Sequence, residues 1–127
     1  MRLSIGIDSV STNDVGASVD AFGDRYLRRV YTDAELSPTA GMSPERLRQY
    51  LAGRFAAKEA VFKALRCPSS VALPWRSIEI VADEQRRPGA RLAGEVAAWA
   101  SERGIGDVDV SITHDRGTAL GIASVRP

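Results

Sequence analysis

Lysine is almost missing from this chain of 127 residues: Lys58 and Lys63 are the only two, and the other fifteen positive charges are arginine. Cysteine occurs once, as Cys67, so no intrachain disulfide can form and a reducing compartment, the cytoplasm, is expected. No apolar run approaches the length of a membrane span. The Met1-Arg2 start leads straight into a strand-like pattern, without the apolar core or cleavage site of a signal peptide. A net charge of +1 lacks the basic excess that nucleic-acid modules advertise. Neither a Walker-type loop nor a GxGxxG segment is present, so any phosphate pocket must be built from side chains rather than a glycine cradle. What remains is an ordinary globular composition, 44% apolar and 26% charged, of a size that suits one domain over residues 1–127.

The pattern along the chain is mixed. Leu3, Ile5 and Ile7 alternate with Ser4, Gly6 and Asp8 as a short half-buried strand that delivers Asp8 at its end. A helix capped near Thr12 to Asp14 follows, with Val15, Val19, Phe22, Tyr26 and Val30 at helical intervals. Thr32 and Glu35 have capping-box spacing. Ser43 and Pro44 open a long helix that runs to about Arg66, where Pro68 forbids continuation. Residues 69–74 read as loop, Ile78 to Val81 as strand, and Asp83 to Gly89 as a charged turn, with Arg91 and Leu92 edging another strand. An amphipathic helix from Glu95 to Arg103 is closed by Gly104. Val108, Val110 and Ile112 alternate in a strand, Asp115 to Gly117 turn, and Thr118 to Val125 return as its antiparallel partner. This order predicts an α+β fold, with an antiparallel sheet packed against a long buried helix.

That helix contains the most informative stretch, GRFAAKEAVFKAL. At about 100° per residue, Leu51, Phe55, Phe62 and Leu65 form a bulky apolar arc, and Ala57, Ala60 and Ala64 lie opposite. Glu59 and Lys63 share a third flank with Ala52 and Ala56, and Arg54 and Lys58 lie at the far edge of the bulky arc. A helix that is apolar or small nearly all round is buried, so its charges must be paired or face a ligand. Glu59 and Lys63 also have the favourable spacing of a simple surface salt bridge, which would explain them without any function. Asp8 alone suits a turn or cap, and His114, the only histidine, suits a hydrogen-bonded loop beside Asp115. Together they form a chemical set. Two carboxylates from different elements can hold Mg²⁺, which takes one or two carboxylates plus substrate phosphates. A lysine one turn from a ligating glutamate can touch the same phosphate, and arginine and histidine can hold another. Each such contact, at about 4 Å and an effective dielectric near 20, is worth on the order of 4 kcal/mol. The set suits a diphosphate that must be neutralised before a nucleophile attacks.

GIDSV, RFAAKEAVFKAL and SITHD, in that order and across nearly the whole chain, resemble the short holo-acyl-carrier-protein synthases of the 4′-phosphopantetheinyl transferase superfamily. The resemblance implies transfer of the phosphopantetheine arm of coenzyme A to a serine of an apo acyl carrier protein, with release of adenosine 3′,5′-bisphosphate. It also implies a homotrimer with active sites at subunit interfaces. Asp8 and Glu59 match the Mg²⁺ ligands, Lys63 the lysine on the diphosphate, and Arg54 and His114 positions lining the coenzyme A site. Glu59 or a water on the metal would take the serine proton. Arg25, Arg28 and Arg29 share one helix face, which is either a solvated basic face or, as the resemblance implies, the dock for an acidic carrier helix. Two turns depart from the family's pattern: Arg66-Cys67-Pro68 stands where a glycine-containing turn is usual, and Arg86-Arg87-Pro88 where Gly-Lys-Pro is common. A catalytically silent scaffold of the same fold is the alternative, but it has no use for the Asp8, Glu59 and Lys63 set. A Mg²⁺-dependent nucleotide hydrolase would leave the arginine face unexplained.

Overall fold

The structure is a computed structural model that describes residues 2–71 and 75–127; the end of the expected 69–74 loop therefore lies outside the described residues. Strand β1 (Ser4–Ser11) leads into α1 (Thr12–Phe22), α2 (Asp24–Val30) and the single turn α3 (Asp33–Leu36). The long helix α4 (Pro44–Leu65) follows, then β2 (Ile78–Ala82), β3 (Pro88–Leu92), α5 (Gly94–Glu102), β4 (Asp107–Asp115) and β5 (Thr118–Arg126). All strand pairings are antiparallel, in the order β1-β5-β4-β3-β2. The fold is α+β, with α4 laid across β1, β5 and β4.

The caps fall where the sequence puts them. Ser43 accepts from the Arg46 backbone N–H at 3.1 Å to start α4, and Thr32 and Glu35 form a reciprocal capping box at α3. Three boundaries differ. Strand β1 runs on to Ser11 in register with β5, so Asp8 stands inside the strand and not at its end. The helix expected to run from residue 12 to Val30 is broken at Gly23, whose φ of 53° lies in the left-handed region. The charged turn is shorter than expected, because Pro88 and Gly89 already pair with Ala82 and Val81.

Helix and sheet meet across small residues. A Cβ at Gly121 would lie 2.6 Å from the Ala56 carbonyl carbon, and one at Gly6 2.7 Å from the Ala64 nitrogen. Ala56, Ala57, Ala60 and Ala64 are fully buried on the facing side of α4. This contact inverts β1 relative to the obvious reading of its alternation. Ser4 and Gly6 face the helix, whereas Leu3, Ile5 and Ile7 are 58%, 60% and 53% exposed, with Ile122 beside them on β5. The bulky residues point away because the close approach leaves no room for them.

Of the two possibilities for the charges of α4, pairing or facing a ligand, Lys58 takes the first. It is fully buried, and its Nζ donates to Glu35 Oε1 at 2.7 Å and to the carbonyls of Trp75 and Ile78 at 2.6 Å each. Glu35 in turn accepts from the backbone N–H groups of Thr32 and Ile80, both at 2.8 Å. Burial pushes the Lys58 ammonium below its ordinary pKa, and Glu35 opposes that shift. The pair ties α3, α4 and β2 together. Lys58→Met should therefore destabilise the protein by about 3–5 kcal/mol in urea unfolding, because Glu35 loses its counter-charge in the core.

Candidate active site

β1 and α4 bring three of the expected residues together. Lys63 Nζ lies 2.7 Å from Asp8 Oδ1 and 3.1 Å from the Ile7 carbonyl. Lys63 thus pairs across elements with Asp8, and among the described residues no ion pair joins it to Glu59. Asp8 and Glu59 line one cavity of about 410 Å³ together with Asp14, Ser18, Tyr26 and Phe55. The carboxyl of Glu59 is pushed up to about 7, first by burial and then by its hydrogen bond to Asp8 and the charge there; Lys63 works the other way. The Asp8 hydrogen bond raises the Lys63 ammonium above its ordinary value, against the opposing effect of burial. Beside Asp8, Glu59 resists ionisation unless a cation joins the site.

Arg54 and His114 are not in that cavity. Arg54 stands five residues before Glu59, about 140° around α4, and faces a second groove of about 530 Å³. There Arg46, Arg54, Arg86 and His114 converge, and among the described residues no acidic side chain lines the groove. The Arg54 guanidinium lies 4.5 Å from the centre of the Tyr50 ring, and its Nε is buried without a hydrogen-bond partner. His114 Nε2 donates to the Gln49 carbonyl at 2.8 Å, which leaves Nδ1 free for another group. Arg25, Arg28 and Arg29 are exposed on α2, apart from both recesses.

Sequence reasoning missed several members of these sites. Arg46 stands at i to Arg54 at i+8 on the long helix, a same-face spacing that could have marked it, and Arg86 stood out only as part of an unusual turn. Tyr26 was read as a core residue. Gly53 could have been found, because a glycine in a helix interior needs a packing reason; a Cβ there would lie 2.9 Å from His114 Nε2.

The profile of the 4′-phosphopantetheinyl transferase superfamily matches residues 4–120. The chain belongs to that superfamily. A holo-[acyl-carrier-protein] synthase of Salinispora arenicola is 46% identical over 121 residues, covering 94% of this chain and 93% of the relative. That of Chlorobaculum tepidum is 37% identical over 125 residues, with 98% and 99% covered. Among solved structures, the holo-[acyl-carrier-protein] synthase (AcpS) of Neisseria meningitidis is similar at a TM-score of 0.83 and 32% identity, covering 98% of each chain. The synthase of Helicobacter pylori in complex with coenzyme A is similar at 0.81 and 29%, covering 96% of this chain and 99% of that one.

Both departures from the family's pattern fall on left-handed backbone in this superfamily member. Arg66, which caps α4, has a φ of 55°, and Arg86, in the β2–β3 turn, has 63°. Each holds a conformation natural to glycine at a cost of roughly 1 kcal/mol.

The carboxylate pair makes a prediction in metal-free buffer. Glu59 binds its proton more tightly when folded than when unfolded, so its contribution to stability is full below about pH 4.5 and is lost as pH rises through about 7. In thermal unfolding with chelator, the melting temperature of wild type should fall relative to Glu59→Gln between pH 5 and pH 8. A constant difference between the two would contradict it.

Proposed function

We propose that the whole chain, residues 1–127, is one transferase domain that moves 4′-phosphopantetheine from coenzyme A to a serine of an apo acyl carrier protein. The observation that carries this reading is the meeting of Asp8 and Glu59 at one cavity, with Lys63 paired to Asp8, in a chain of this superfamily. Relatives named holo-[acyl-carrier-protein] synthase, and a similar structure with coenzyme A bound, support the substrate pair.

Asp8 and Glu59 fit Mg²⁺. Among the described residues no group of three or more His, Cys, Asp or Glu could hold a metal. A two-carboxylate site suits an ion that completes its shell with water and substrate phosphate. When bound, the ion would neutralise charge on the diphosphate of coenzyme A. Lys63 adds a second positive charge on the same side, so the phosphorus nearer the pantetheine becomes open to the carrier serine. The serine gives its proton to Glu59 or a water as its oxygen forms the new bond to that phosphorus, the bond to the bridging oxygen breaks, and adenosine 3′,5′-bisphosphate leaves. Arg54 and His114 hold a more distant part of the same substrate.

One copy carries the diphosphate cavity and the basic groove on different flanks of α4, and an outward apolar face of Leu3, Ile5, Ile7 and Ile122. Both features support a homotrimer in which the carboxylates of one copy meet the groove of the next. Arg25, Arg28 and Arg29 form the carrier dock, since an acidic helix would find three exposed guanidinium groups on one face. The lone cysteine and the substrate pair, coenzyme A and a carrier protein, support a cytoplasmic location. Among the described residues no helix is long and apolar enough to cross a membrane.

Incubation with coenzyme A, Mg²⁺ and an apo carrier, followed by mass measurement of the carrier, tests the reaction. The carrier should gain the mass of the pantetheine arm, and Asp8→Ala with Glu59→Ala should slow this at least 100-fold. Binding of coenzyme A with no gain would support the silent scaffold instead.

Two further outcomes test assembly and docking. Ile5→Arg should shift the protein toward monomer in light scattering and abolish transfer, although no carboxylate is altered. Arg25→Ala with Arg29→Ala should raise KM for the carrier several-fold and leave KM for coenzyme A unchanged.

A further inference from the structure

The basic groove contains a residue that the fold disfavours. Arg86 sits in the β2–β3 turn at a φ of 63°, where glycine would be unstrained. The turn is tightly specified around it. Asp83 Oδ1 accepts from the backbone N–H groups of Gln85 and Arg87 at 2.8 Å each, and the Arg86 N–H donates to the Asp83 carbonyl at 3.0 Å. These bonds hold Arg86 in the left-handed region whatever its side chain. Three non-glycine residues have positive φ among the described residues, and all are arginine: Arg66, Arg86 and Arg116. Arg66 caps a helix and Arg116 turns a hairpin, and neither lines the groove. Arg86 does.

The chemistry of the groove narrows what it takes. Arg46, Arg54, Arg86 and His114 line it without a carboxylate, and the Arg54 Nε is buried and lacks a partner. Arg86 forms no ion pair among the described residues. Such a groove fits a compact anion carrying more than one charge. Coenzyme A has two anionic groups, the diphosphate and the 3′-phosphate of its ribose. If the diphosphate lies at Asp8, Glu59 and Lys63, as the proposed function holds, the 3′-phosphate is the one left for the groove.

We propose that Arg86 is a specificity-determining residue that selects nucleotides bearing a 3′-phosphate. Its guanidinium adds a charge-assisted contact to that phosphate, and the strained backbone is retained because glycine, though better suited to the turn, offers no charge. Ligand selectivity and turn stability therefore oppose each other at this one position.

The opposition supplies the test. Adenosine 3′,5′-bisphosphate and adenosine 5′-monophosphate are titrated calorimetrically into wild type, Arg86→Gly and Arg86→Ala, and the melting temperature of each free protein is recorded. The preference of wild type for the bisphosphate should fall roughly ten-fold in both variants. Arg86→Gly should also melt higher than wild type, and Arg86→Ala should not, because alanine keeps the Cβ. A selectivity unchanged by both substitutions would overturn the proposal, as would an equal loss of affinity for both nucleotides. The binding readout does not depend on transfer. Arg86-dependent selectivity in a protein that never modifies a carrier would support this assignment and remove the transferase reading.

Discussion

The close approach of α4 to the sheet is the contact on which the rest of the structure depends. Gly6 on β1 and Gly121 on β5 let the helix backbone settle against the strands, and the alanines of α4 fill the seam. A larger residue at either glycine would have to displace main chain, which cannot yield as a flexible side chain can. Because the helix lies so low, Glu59 and Lys63 reach Asp8 within β1, and a charged cluster forms at the rim of an apolar core. The same constraint drives Leu3, Ile5 and Ile7 outward. The seam that builds the carboxylate cavity thus also builds an outward apolar face on the sheet.

The two lysines show how one turn of helix can separate structure from chemistry. Lys58 and Lys63 are five residues apart, so they leave α4 on different flanks. Lys58 is enclosed with Glu35, and its three hydrogen bonds satisfy every donor that burial would otherwise strand. Lys63 remains half exposed beside Asp8, where its charge is available to a ligand. Arginine would serve neither position in the same way, since a planar fork cannot converge on three acceptors packed around a single nitrogen.

Much of this was legible in residue order alone. Caps at Ser43 and Thr32, the stop before Pro68 and the alternation of β4 and β5 are local effects, set by side chains within a few positions of the backbone they direct. The break at Gly23 was less visible, because apolar residues keep a helical interval on both sides and a lone glycine is tolerated in many helices. Asp8, Glu59 and Lys63 could be grouped because, although each had an ordinary explanation alone, together they made a set suited to a metal ion and a phosphate. Arg46 and Arg86 offered weaker clues, a helical spacing and an unusual turn, and their place beside Arg54 and His114 emerged only when the β2–β3 hairpin and α4 were folded against β4.

By itself the sequence determined the class of fold, the long helix and the residue types from which a phosphate-handling site could be made. Only the tertiary structure decided that Lys58 belongs to Glu35, that Arg54 and His114 stand in a groove apart from Asp8, and that the apolar side of β1 faces out. The reason is physical. Caps, turns and periodicity are settled by neighbours along the chain, whereas the partner of a buried charge and the inward face of a strand depend on which distant surface arrives within a few ångströms.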